Sequence, residues 1–204
     1  MDVLEKDIED MIFNAAKSEI GQRILVERGL IVTGKMYRQV NLKGYGIADL
    51  VTVTPFHLKG GKVSSGREKG QNTYVLISVY ELKRGPVNYA ALAQAARYKT
   101  AIEELITKTH PNINAAVNIM LIGSEVDDAL DFKYVLNLLP EVRVYTYRFG
   151  LTGLWFEAQG LTKGEKWTLP GQSPINISFT RTELKDMVRL SQHFKADYPT
   201  TTRP

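Results

Sequence analysis

Cysteine is absent from the chain. That rules out disulfides, thiolate metal sites and cysteine nucleophiles. The lack fits a reducing compartment, and a cytoplasmic protein is the expectation. Histidine is scarce, with His57, His110 and His193 far apart in sequence. A histidine-rich zinc site or a Ser-His-Asp triad is therefore not expected. No apolar run approaches the ~20 residues of a membrane-spanning helix, so no membrane partner is expected. The opening residues, MDVLEKDIED, are acidic and amphipathic, unlike a secretion signal. Neither sign of charge is lacking: 26 Lys and Arg against 22 Asp and Glu leave +4. This mild excess permits a polyanionic partner without demanding one.

What remains is an ordinary globular composition, 44% hydrophobic and 24% charged over 204 residues. It suits one moderate domain with a real core. In residues 3–17, Leu4, Ile8, Met11, Ile12 and Ala15 recur at helical spacing, with Glu5 and Glu9 one turn apart beside that stripe. A second amphipathic piece runs through Ile24 and Leu25 to Gly29. Strand patterns follow at 30–42, 44–56 and 73–83. The Gly/Ser-rich loop 57–72 between the last two carries Lys59, Lys62, Arg67 and Lys69, as a solvated turn or as a phosphate-contacting flap. Pro86 opens a long helix over 86–109. A strand (115–123), a helix (127–139) and a strand (142–149) come next.

GLWFEA and KWTL are expected to form a terminal hairpin, and Thr180 with Glu183 gives the capping-box pattern of a helix over 180–194. Trp155 and Trp167, the latter beside Lys163 and Lys166, read as packing or interface residues, with stacking on a base as the alternative. The expected division is a core over 1–150, a packed hairpin and helix over 151–196, and a loose tail over 197–204. The alternation implies an α/β protein with a mixed central sheet flanked by helices.

Three charges fall where strands should be apolar. Asp49 sits inside GYGIADLVTVTPF, and Glu81 and Lys83 end TYVLISVYELK. Residues at i and i+2 share a strand face, so Glu81 and Lys83 are neighbours. A buried carboxylate is costly unless paired or bound to a cation. One answer is a structural ion pair. Another is a hard divalent cation, Mg²⁺ or Mn²⁺, held by Asp49, Glu81 and the Leu82 carbonyl, since such ions take oxygen ligands and keep several waters. A lysine beside that ion suits phosphodiester hydrolysis, by orienting the nucleophile or stabilising charge on the phosphate.

The stretches IAD (47–49), ELK (81–83) and QAARY (94–98), after an N-terminal helix bearing acids, resemble the PD-(D/E)XK nuclease superfamily. The QAARY helix is similar to that of RecB-like nucleases, and GYGIADL with ELKRG resembles NucS-type catalytic domains. The likeness covers roughly residues 3–123. Ala48 stands where the family motif has proline, and Gly46 or Ile47 where NucS-like chains have arginine.

The resemblance implies a restriction-endonuclease-like αβββαβ core and a metal-dependent nuclease acting on DNA, or alternatively a nucleic-acid-binding module that cleaves little. RNA is the second substrate to weigh, and phage, mobile-element or repair systems are the settings it implies. It assigns Asp49 and Glu81 to the metal, Lys83 to catalysis, and Glu5 (or Glu9) to the surrounding acidic shell. Gln94 and Tyr98 border the site. Arg84 and Arg97 flank it, as phosphate contacts or as ordinary surface charges. Cutting both strands of a duplex takes two sites, which a homodimer would supply.

Overall fold

The structure is a computed structural model and describes residues 4–58, 72–111, 113–136 and 138–159. The basic residues of the Gly/Ser-rich loop, the KWTL segment with Trp167, the helix expected over 180–194 and the tail lie outside the described residues.

Helices α1 (Glu5–Ala16) and α2 (Glu19–Glu27) come first. Strands β1 (Lys35–Asn41), β2 (Ile47–Leu58) and β3 (Asn72–Leu82) form an antiparallel meander. Helix α3 (Tyr89–Thr109) then crosses over to β4 (Asn114–Gly123), which runs parallel to β3. A short α4 (Phe132–Leu136) leads to β5 (Val142–Gly150), parallel to β4, and β6 (Gly153–Gln159) turns back antiparallel to β5. The result is an α/β architecture: one six-stranded mixed sheet in the order β1-β2-β3-β4-β5-β6, with helices on both faces. No helix among the described residues is long and apolar enough to cross a membrane.

β3 reads as a continuous apolar run because both of its faces are covered. Val75, Ile77 and Val79 pack towards α3, where Tyr98, Ile102 and Ile106 meet them. Tyr80 and Leu82 point the other way, onto Ile8, Ile12 and Ala16 of α1. Those three α1 residues recur every fourth position, which places them on one helix face.

Several elements differ from the sequence expectation. The long helix starts at Tyr89, not at Pro86, because the Asn88 side chain accepts the Ala91 N–H (3.0 Å) and so caps it. Val87 is held extended by its bridge to Val126 and its N–H bond to Glu125 (2.8 Å). The helix expected over 127–139 shrinks to a 3₁₀ turn and α4. Leu130 and Asp131 adopt left-handed backbone angles (φ 53° and 55°), and Asp127 accepts the Ala129 N–H (2.9 Å) in a local turn that competes with a helix. GLWFEA forms β6 and pairs with β5; KWTL, its expected hairpin partner, lies outside the described residues.

Candidate metal and phosphodiester site

The β2–β3 ladder reaches the pair Leu50↔Tyr80. The ladder ends there, and Asp49 and Glu81 follow it on the two strands, close enough for the Asp49 charge to act on the Glu81 carboxyl. Alternation from Val51 and Val79 puts both carboxylates on the α3 side. Beyond that point Asp49 substitutes for the ladder, its Oδ2 accepting the Leu82 N–H at 2.8 Å. The N–H and C=O of an extended residue point to the same strand edge, so the Leu82 carbonyl also lies on the Asp49 side.

Glu81 is buried, 1% exposed. Lys83 Nζ donates to its Oε1 at 2.5 Å, while its Oε2 is buried with no hydrogen-bond partner. Burial pushes the Glu81 carboxyl up to about 7, with the Asp49 charge adding and Lys83 opposing. Burial likewise raises Asp49 to about 6, with the Leu82 N–H opposing and the Glu9 and Glu5 charges adding. For Lys83 burial acts downward, but the Glu81 bond and the charges of Glu81, Glu5 and Asp49 outweigh it and hold the ammonium above its usual range. Lys83 is thus a cation at neutral pH and no general base in this state.

Glu5 opens α1, and its Oε2 accepts the Arg84 N–H at 3.2 Å. Glu9 is buried and engaged elsewhere: its Oε1 accepts from Arg38 Nε (2.7 Å) and Gln39 Nε2 (2.8 Å). Glu5 is therefore the helix acid whose charge reaches Asp49, Glu81 and Lys83 together. Gln94 donates to the Tyr98 hydroxyl (2.7 Å); burial raises the tyrosine's pKa, the Gln94 bond opposes it, and the nearby Glu81 and Asp49 charges add to it. Arg97 is exposed on α3 and makes no hydrogen bond or ion pair among the described residues. Arg84 is exposed, and its backbone is fixed on both sides: its N–H by Glu5, its carbonyl by the Tyr147 hydroxyl (2.7 Å). The loop after β3 is further tied to the end of β4, where Lys83 N–H bonds Ile122 (2.8 Å) and Ser124 N–H bonds Gly85 (3.0 Å).

Gly46, with φ 113°, lets Tyr98 reach the site. A Cβ there would lie 3.0 Å from Tyr98 Cε1, whereas at Gly44 it would meet nothing within 4 Å. Gly46→Ala is expected to destabilise by about 1 kcal/mol or more. A thermal melt should show this as a midpoint lower by at least about 2–4 °C, with Gly44→Ala close to wild type.

The donors that converge are hard oxygens, the set Mg²⁺ and Mn²⁺ prefer. Among the described residues no three His, Asp or Glu side chains form a ready-made metal cage. Mg²⁺ does not require one, since it is commonly held by one or two carboxylates and keeps its waters. The orphaned Glu81 Oε2, near Asp49, is the vacancy in hydrogen bonding that a cation would satisfy.

The protein defined by this fold and site is an α/β chain with a buried carboxylate (Glu81), a half-buried one (Asp49) and a lysine at one end of its sheet. Comparison with known proteins finds no matching family model, no matching curated protein and no matching solved structure.

Arg38, Gln39 and Tyr147 support the site and were not singled out from sequence. Gln39 has a left-handed backbone (φ 49°) that breaks strand alternation, which is why two successive residues, Arg38 and Gln39, both reach Glu9. Periodicity carries no signal for that.

Proposed function

We propose that this chain is a divalent-metal-dependent nuclease that hydrolyses phosphodiester bonds of DNA on a PD-(D/E)XK, restriction-endonuclease-like core. The observation that carries the reading is Asp49 and Glu81 within charge reach at the ends of β2 and β3, with one buried Glu81 oxygen unpartnered and Lys83 beside it. The order α, three antiparallel strands, α and a parallel strand supports it, as do IAD, ELK and QAARY falling on β2, β3 and α3.

In this reading Asp49, Glu81 and the Leu82 carbonyl hold Mg²⁺ or Mn²⁺, with Glu5 completing the acidic shell. When bound, the ion supplies Lewis-acid charge neutralisation to the phosphoryl group. Lys83 has three N–H donors and gives one to Glu81. The other two orient the attacking water and stabilise negative charge developing on the phosphoryl oxygens. Water oxygen bonds to phosphorus and gives up a proton to solvent, one P–O ester bond breaks, and the leaving oxygen takes a proton from solvent. The products are a phosphate monoester and a free hydroxyl. Tyr98, held by Gln94, and the Arg84 backbone, held by Glu5 and Tyr147, keep the walls of the site in place.

The test uses purified protein with plasmid and single-stranded DNA in Mg²⁺, Mn²⁺ or EDTA. Cleavage is expected in either metal and absent in EDTA, and Lys83→Ala should lower the rate by about 10²–10³-fold. Metal-dependent cleavage that Lys83→Ala leaves untouched overturns the assignment.

The Lys83–Glu81 contact favours a second reading, because it already compensates much of the buried charge. There the fold binds nucleic acid and cleaves little. A gel shift that needs no metal, with intact DNA recovered after incubation in Mg²⁺, would select it.

A further inference from the structure

Lys83 leaves the sheet in the turn after β3, and that turn is held from β5, two strands away. Leu82 pairs with Ile122 of β4, and Ile122 pairs with Tyr145 of β5, so the three residues are level. Tyr147 is one pleat further along, on the same face as Tyr145, and therefore stands level with Arg84. β4 does not separate the two, because it ends at Gly123. A Cβ on Gly123 would lie 2.7 Å from the Gly85 carbonyl oxygen and 2.7 Å from Val87 Cγ2, so the turn crosses this strand end only over a glycine. The crossing brings the Arg84 carbonyl within reach of the Tyr147 hydroxyl, which donates to it at 2.7 Å.

Each residue of the turn is thereby tied. Lys83 N–H donates to Ile122, Arg84 N–H to Glu5 Oε2, and Gly85 C=O accepts the Ser124 N–H. Of these ties, the Tyr147 bond is the one supplied by β5. The tyrosine is itself a fixed arm. Its ring is partly buried against the core and meets Phe149 edge-on, with centroids 5.9 Å apart. The β5–β6 hairpin that carries it is anchored to the end of α2, where Arg28 Nη2 donates to the Thr152 carbonyl (2.7 Å) and Phe156 N–H donates to the Arg28 carbonyl (2.8 Å).

We propose that Tyr147 is a positioning residue for Lys83: by holding the Arg84 carbonyl, it sets where the Lys83 ammonium lies relative to Glu81 and the phosphodiester. Tyr147 falls beyond the stretch, roughly residues 3–123, that resembles the nuclease superfamily. The β5–β6 hairpin is then a working part of the site and not an appendage. The inference rests on the nuclease reading for what Lys83 does, but the hold on Lys83 is measurable without DNA.

Tyr147→Phe is the test variant. Tyr89→Phe is its control, because the Tyr89 hydroxyl also donates to an exposed backbone carbonyl, that of Leu130 (3.0 Å). Both variants keep the ring, and water replaces the lost bond at an exposed carbonyl, so both melting midpoints should stay within about 2 °C of wild type. The first measurement is lysine acylation in EDTA without DNA, read residue by residue by mass spectrometry. Only a neutral amine acylates, and Lys83, 28% exposed, is held as an ammonium on Glu81. Its acylation is expected to be about 3-fold or more faster in Tyr147→Phe than in wild type or Tyr89→Phe, with Lys108 and Lys133 equal in all three. The second is single-turnover plasmid cleavage in Mg²⁺. Tyr147→Phe should lower the maximal rate by about 10-fold or more and leave the half-saturating protein concentration unchanged. In a Lys83→Ala background the same substitution should cost nothing further. Wild-type Lys83 acylation in Tyr147→Phe overturns the proposal, as does a rate loss that persists in full without Lys83. Faster Lys83 acylation in the variant, from a wild type that cleaves no DNA in Mg²⁺, would sink the nuclease reading and leave the positioning role standing. Cleavage that needs Lys83, with acylation and rate both unmoved by Tyr147→Phe, does the reverse.

Discussion

Asp49→Asn is expected to remove Mg²⁺-dependent cleavage, with a rate at least about 10²–10³-fold below wild type. The substitution is nearly isosteric, and the asparagine carbonyl can still accept the Leu82 N–H that Asp49 Oδ2 accepts at 2.8 Å. The β2–β3 end therefore keeps its geometry and loses only charge. A cation held by two carboxylates and a carbonyl loses half of its anionic ligands in that change. Calorimetric titration with Mn²⁺ should show saturable binding to wild type and none to the variant over the same range. Equal Mn²⁺ heats from the two proteins would remove Asp49 from the metal and with it the proposed mechanism. Because the readout is binding, the result does not depend on choosing the right DNA.

Much of this site could be read from the chain, for a physical reason. Charges inside apolar runs are rare because burial penalises them, so Asp49 and Glu81 stood out in β2 and β3 without any alignment. The strands were legible because β3 is covered on both faces, and α1 because Ile8, Ile12 and Ala16 repeat at its own period. Less legible was everything set by register and backbone sign. The closeness of Asp49 and Glu81 depends on where the β2–β3 ladder stops, at Leu50↔Tyr80. The choice between Glu5 and Glu9 was open from spacing. It is the engagement of Glu9 by Arg38 and Gln39 that separates them, through a left-handed Gln39 with no sequence period. Gly46 was visible as a glycine but not as the position against which Tyr98 packs.

The same two carboxylates make the metal-free protein less stable as pH rises through neutrality. Burial raises Asp49 from 3.8 to about 6 and Glu81 from 4.5 to about 7 in the folded chain. Between the unfolded and folded values the native state holds protons that the unfolded state has released. Stability therefore rises as pH falls through that window, and is lost as pH climbs through about 6 and 7. From about pH 7.5 to pH 5.5 the two groups together contribute roughly 2–3 kcal/mol. In a chain of this size that corresponds to a thermal midpoint higher by about 5 °C or more at the acidic end. Glu104 and Glu141 are shifted downwards, so their contributions fade only below the ordinary carboxylate range and do not blur the window. Asp49→Asn should therefore melt higher than wild type at about pH 7.5 in EDTA, and close to it at about pH 5.5. Adding Mg²⁺ at the higher pH should close the gap from the other side, by stabilising wild type and not the variant. A wild type whose EDTA midpoint is flat across the window, or an Asn variant that melts lower at its alkaline end, would show that burial and mutual repulsion do not penalise the strand-end carboxylates. The site would then be a satisfied ion pair and not a place held open for a cation.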